Sequence, residues 1–137
     1  GVYPIRFDAE QALERGDLYV CEAEGRVAAS GILNQKQVDV YAEGRWSYPA
    51  EDSDVFVLHT LTVDPASSGR GIGRAFVRFY EDTASALGCT VLRMDTNEKN
   101  AAARRLYAKL GYREADIVPC AFNSIPNARL VLLEKKL

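Results

Sequence analysis

Between residues 55 and 110 the chain passes twice from a short apolar run to an amphipathic stretch, and this order constrains the fold more than any other feature. Residues 55–63 alternate little and read as a strand buried on both faces. From Gly71 to Leu87 the apolar residues Ile72, Ala75, Phe76, Phe79, Tyr80 and Leu87 fall on one helical face, and Gly88 closes the helix. Residues 90–96 form a second strand pattern. Asn100 can cap a helix running to Leu110, stopped by Gly111. Strand, helix, strand, helix implies a right-handed crossover that sets two strands parallel and adjacent. A hairpin precedes them, with residues 17–24 and 27–34 turning at Gly25. Strands near residues 113–119 and 128–134 follow, so the sheet must be mixed. Asp8 to Gln11 has the form of a helix cap with its reciprocal partner, and Gly16 can end that short helix.

The chain has 137 residues and reads as a single domain. A net charge of −2 and a pI near 5.5 provide no basic field, so nucleic acid is not expected as a partner. The longest apolar run, residues 55–63, is far short of the roughly 20 residues that span a bilayer, and no membrane partner is expected. The three cysteines lack a CxxC spacing and His59 is the only histidine, so the sequence holds no metal-ligand cluster. Reduced thiols and a cytoplasmic location are the expectation. Cys89, between Gly88 and an apolar strand, reads as core. Gly1 in place of a methionine points to a segment removed upstream.

The link between the first strand and its helix carries the chemistry. Residues 61–74 read Leu-Thr-Val-Asp-Pro-Ala-Ser-Ser-Gly-Arg-Gly-Ile-Gly-Arg. A helix start leaves backbone N–H groups unpaired, and glycines let a bulky anion approach them. The turn therefore suits phosphate oxygens. A nucleotide P-loop would need Gly-Lys-Ser/Thr where Gly71 is followed by Ile72, which excludes it. The dinucleotide fingerprint needs a sixth-position glycine where Arg74 stands, although Asp95 lies near its expected acidic position.

Val63-Asp64-Pro65 followed by Arg70-Gly71-Ile72-Gly73 resembles the acyl-CoA-binding motif of the GNAT superfamily of N-acyltransferases. The likeness continues through Asn100-Ala-Ala-Ala-Arg-Arg-Leu-Tyr107-Ala-Lys-Leu-Gly111-Tyr112, the family's Asn-led helix with a tyrosine. The two motifs cover about residues 55–115. Ser68 occupies the motif's usual Arg or Gln position, a departure that leaves charge to Arg70 and Arg74.

The resemblance implies an α+β, layered α/β/α fold. Its sheet is mixed and mostly antiparallel, with a splayed central parallel pair. It implies acetyl-CoA as co-substrate, no metal, and direct attack by a primary amine in a ternary complex. The Leu61, Thr62 and Val63 backbone would pair with pantetheine, and Gly69, Arg70, Gly71, Ile72, Gly73 and Arg74 would cradle the pyrophosphate. Asn100 is carried over as a CoA contact, its other role being the helix cap. Tyr107 is carried over as the general acid for the departing thiolate, against a reading as a packed core tyrosine. The base stays open among Asp95, His59 and water. Asp95 could instead pair with Arg93 on the same strand face. His59 alternates with Val57 and Leu61, as a buried structural histidine would.

The acceptor is a small-molecule or peptide amine. The long polar segment 35–54 offers Tyr41, Trp46, Tyr48 and the acids Glu51, Asp52 and Asp54 to it, or simply a solvated acidic face. A family domain begins with a strand and a helix that are not read before Asp8, so the expectation is that they are missing or that the N-terminus is rebuilt, and a homodimer is left open. A CoA-binding module without transfer activity is the alternative.

Overall fold

The apolar runs of the described chain form six strands, all joined in one sheet. The computed structural model describes residues 16–23, 25–67, 69–119 and 128–137; the helix start read at residues 8–11, Ser68 and Cys120 lie outside them. β1 (Leu18–Ala23) and β2 (Arg26–Asn34) form the expected hairpin, and Gly25 turns it with a φ of 74° that favours glycine. β3 (Val55–Val63), β4 (Val91–Asn97), β5 (Arg113–Pro119) and β6 (Arg129–Lys136) complete the sheet in the order β1-β2-β3-β4-β6-β5. β3 and β4 are parallel and joined by α1 (Ile72–Ala86), as the crossover requires; the other neighbours are antiparallel. α2 (Ala101–Lys109) leads from β4 towards β5.

Both helices pack on one face of the sheet. Phe76, Val77, Tyr80 and Ala84 of α1 and Tyr107 of α2 bury against Phe56, Leu58, Leu92, Met94, Val131 and Leu133. The buried stripe of α1 differs from the expected one. Phe79 and Leu87 are 45% and 62% exposed and Ala75 is exposed, while Val77 and Ala84 face the core. Tyr80 sets this rotation, because its hydroxyl lies 2.7 Å from the Phe56 carbonyl oxygen and 3.1 Å from that of Arg93. Phe79 is thereby turned towards Tyr19 of the hairpin, with ring centroids 5.6 Å apart.

The opposite face is covered by the segment read as a polar, irregular loop. It makes two 3-10 turns, Asp39–Glu43 and Asp52–Asp54, and lays Tyr41, 2% exposed, against Val55, Val57, Val118 and Leu132. Tyr41 is therefore a core side chain, and Trp46 and Tyr48 are half-buried against the same cluster.

Buried charge holds this segment in place. The Arg93 guanidinium lies 4.3 Å from the Trp46 ring centroid and donates to Gln37 Oε1 at 2.7 Å and the Tyr48 carbonyl at 2.9 Å. Glu134, 0% exposed and opposite Arg93 in the β4–β6 register, accepts from the Ser47 and Tyr48 amides and from Arg113 at 2.6 Å. These partners, not Asp95, occupy Arg93, so the pairing of Arg93 with Asp95 does not form. Truncating Glu134 would leave the Ser47 and Tyr48 amides and the half-exposed Arg113 without their carboxylate acceptor. Glu134→Ala should lower folding stability by about 1 to 3 kcal/mol, read from chemical denaturation midpoints.

Candidate active site

The parallel pair comes apart partway along its length. β3 and β4 pair from Val55↔Val91 to Leu58↔Met94, after which β3 runs on to Val63 and β4 to Asn97. Along β2, Ile32 pairs with His59 and Ser30 with Thr62, so three steps on β3 match two on β2. The bulge holds Thr60 at a φ of 52°, a strained value for a β-branched residue, costing on the order of 1–3 kcal/mol. It shifts the alternation by one residue. Phe56 and Leu58 face the helices, and so do Leu61 and Val63. His59 stays on the Val57 face, which corrects the expectation that Val57, His59 and Leu61 share one side. β4 meanwhile remains paired with β6 as far as Asn97↔Leu130. The facing edges of β3 and β4 are thus no longer paired with each other beyond Leu58 and Met94, which leaves a cleft between them.

The glycine turn stands at the end of β3. Asp64 Oδ1 accepts from the Ala66 amide at 3.0 Å and starts the 3-10 turn Pro65–Ser67. Gly69 and Gly71 follow with φ of 81° and 75°, and a Cβ on either would meet nothing within 4 Å. These glycines serve backbone shape in open space. Gly73 differs: a Cβ there would lie 3.2 Å from Leu106 Cδ2, so the close approach of α1 to α2 needs glycine. Among the described residues no side chain caps the start of α1, so its first amides can meet a ligand. Arg70 and Arg74 are exposed, and Arg74 shares an open depression with Arg78 and Lys135. Asn100 caps α2, accepting from the Ala103 amide at 3.1 Å.

Asp95 and His59 are the first residues past the parting, one on each strand. Asp95 Oδ2 accepts from Tyr41 Oη at 2.6 Å. Burial lifts the Asp95 pKa above the usual carboxylate range, and the Tyr41 hydrogen bond opposes that rise. Tyr107 is 5% exposed, and its hydroxyl has no hydrogen-bond partner among the described residues. Its pKa is pushed up to about 12, first by burial and then by the charge of Asp95. The cleft therefore brings Tyr107 within electrostatic reach of Asp95.

His59 is held from behind. Asn34 Nδ2 donates to Asp17 Oδ2 at 2.8 Å, so Asn34 Oδ1 faces the ring, and His59 Nε2 at 2.7 Å carries the hydrogen. Asn34 and the contact of Tyr41 with Asp95 escaped the sequence reading. Tyr41 lies 54 positions from Asp95, and no local period links them. Cys89 is buried with its thiol pKa raised by burial, as a core residue.

The fold is that of known acetyltransferases. A Bacillus subtilis acetyltransferase solved in complex with CoA superposes with a TM-score of 0.73 at 19% identity, covering 98% of this chain and 86% of that one. The model of the acetyltransferase (GNAT) family matches residues 2–112, and the chain belongs to that family. An uncharacterized N-acetyltransferase of Methanocaldococcus jannaschii is 27% identical over 100 residues, 73% of this chain and 40% of that protein. The ribosomal protein bS18-alanine N-acetyltransferase of Escherichia coli K12 is 36% identical over 64 residues, 47% of this chain and 43% of that protein. The matches thus span about two fifths of the length of these curated relatives.

Alanine at position 71 meets no protein atom but disfavours the left-handed backbone. Gly71→Ala should weaken CoA binding about tenfold by calorimetric titration, or about 1.4 kcal/mol. An unchanged Kd would remove the turn from the donor site.

Proposed function

We propose that this protein transfers the acetyl group of acetyl-CoA to a primary amine of a small molecule or peptide, by direct attack in a ternary complex. The observation that carries this reading is the cleft itself. Two parallel strands part beside an uncapped, glycine-lined helix start, with Asp95 and Tyr107 in electrostatic contact at the opening. Pantetheine would lie along the Leu61–Val63 backbone, and the pyrophosphate would sit on the amides of residues 69–74. Strand amides along that cleft can also polarise the thioester carbonyl. The relative that acetylates a ribosomal protein's alanine makes a peptide α-amine one reasonable acceptor class.

The proton steps follow from the two perturbed groups. The amine nitrogen attacks the thioester carbon, the C–N bond forms and the C–S bond breaks. Asp95 takes the proton that the amine must lose, and its raised pKa makes it a stronger base than an ordinary carboxylate. Tyr107 keeps its proton at neutral pH and gives it to the departing thiolate. The order of events helps this donation. While Asp95 is charged it raises the Tyr107 pKa; once protonated by the amine, it no longer does, and Tyr107 becomes the better acid.

Release of CoA thiol from acetyl-CoA across an amine panel tests the function; CoA binding with no turnover on any amine would favour a non-catalytic module. Tyr107→Phe should cut turnover by about 10²- to 10⁴-fold with CoA affinity nearly unchanged. Asp95 must be ionised to act, so activity should fall as pH drops through its raised pKa. Asp95→Asn should remove that acid limb, and an unchanged pH profile would point to His59 or water. No alkaline loss from Tyr107 is expected below about pH 10, because its pKa is about 12.

A further inference from the structure

The segment that covers the face of the sheet opposite α1 and α2 makes a contact with the proposed base. We propose that Tyr41 is a positioning residue for the acetyl transfer: its hydroxyl, 2.6 Å from Asp95 Oδ2, fixes the carboxylate so that Oδ1 faces the attacking amine. This inference rests on the reading of Asp95 as base and adds a residue that lies outside both sequence motifs. An O–H donor to a carboxylate at this distance is a charge-assisted hydrogen bond, strong enough to select one orientation of the acid. The tyrosine that makes it is rigidly seated. Its ring is 2% exposed in the second core, and its carbonyl accepts from Trp46 Nε1 at 2.7 Å. The rings of Tyr41 and Trp46 meet edge to face at 5.4 Å, and Trp46 in turn lies against the Arg93 guanidinium. Arg93 stands two positions before Asp95 on β4, so the strand that carries the base also anchors the support of its donor.

The surroundings leave Tyr41 as the described side chain that donates to the base. Asp95 faces Tyr107 from α2 and His59 from β3 across the parting. On its own face of the sheet, Arg93 is committed to Gln37 and Tyr48, and Glu134 to Arg113 and two amides. Asp116 on β5 lies 4.0 Å from Arg45. The same segment therefore acts on Asp95 in two opposed ways. Its packing removes water and strengthens the base, while the Tyr41 hydroxyl favours the ionised carboxylate.

Tyr41→Phe keeps the ring, its Trp46 contact and its place in the core, so the fold should persist. The Asp95 pKa is read directly by carbon-detected NMR titration of its carboxyl. It should rise by about 0.5 to 1.5 units in Tyr41→Phe. With acetyl-CoA and a short alanine-initiated peptide as probes, the acid limb of kcat/KM should move up by the same amount. The rate deficit should reach about 3- to 30-fold at pH values below the acid limb and vanish above it, with KM for acetyl-CoA unchanged. Trp46→Phe loosens the seat but keeps the hydroxyl; it should shift the Asp95 pKa the same way by less, and it serves if Tyr41→Phe does not fold. An Asp95 pKa that stays put, or a rate lowered equally at every pH, would overturn the role of Tyr41. The two readings separate cleanly. Wild-type turnover in Asp95→Asn sinks the base assignment and this inference with it. Loss of turnover there, with Tyr41→Phe titrating and reacting as wild type, sinks this inference alone.

Discussion

The bulge at Thr60 is the constraint on which the rest of the molecule depends. One residue too many on β3 lets the strand keep its pairing with β2 while it turns away from β4. The left-handed backbone at a β-branched residue is unfavourable by itself, and it persists because both flanks are fixed. Below it, Val55 to Leu58 are clamped against β4, with the Tyr80 hydroxyl reaching carbonyls of both strands. Above it, Leu61 and Val63 are packed against the helix layer. The strain is thus stored at the one place where the sheet must open.

Opening the sheet has an electrostatic consequence. Asp95 belongs to the face covered by the 3-10 segment, and Tyr107 to the face covered by helices. In a continuous sheet two such side chains would be separated by paired backbone. Where the strands part, the charge of Asp95 reaches the phenol.

The face opposite α1 and α2 does more than complete a core. Its buried charges are matched in a chain of partners, with Glu134 between Arg113 and the Ser47 and Tyr48 amides, and Arg93 between Trp46, Gln37 and Tyr48. Such matched groups specify one docking of the segment more sharply than apolar contact would. Tyr41 inherits that fixed position, and with it a defined geometry towards Asp95.

The order of strands and helices, the parallel crossover and the glycine turn with its uncapped helix start were legible in the sequence, because each is written in local periods and in residues with distinct backbone preferences. The Asn100 cap was legible too, since an asparagine stands at the head of a helical pattern that Gly111 closes. The rotation of α1, the change of alternation at Thr60, the burial of Tyr41 and the separation of Arg93 from Asp95 were not. Each of these is settled by partners tens of residues away, through a packed layer or a hydrogen bond that no local pattern encodes. The sequence by itself determined where an anion could be held and which strands would run side by side. Only the tertiary structure decided where those strands separate and which residues meet there, because both depend on two layers packing against opposite faces of one sheet.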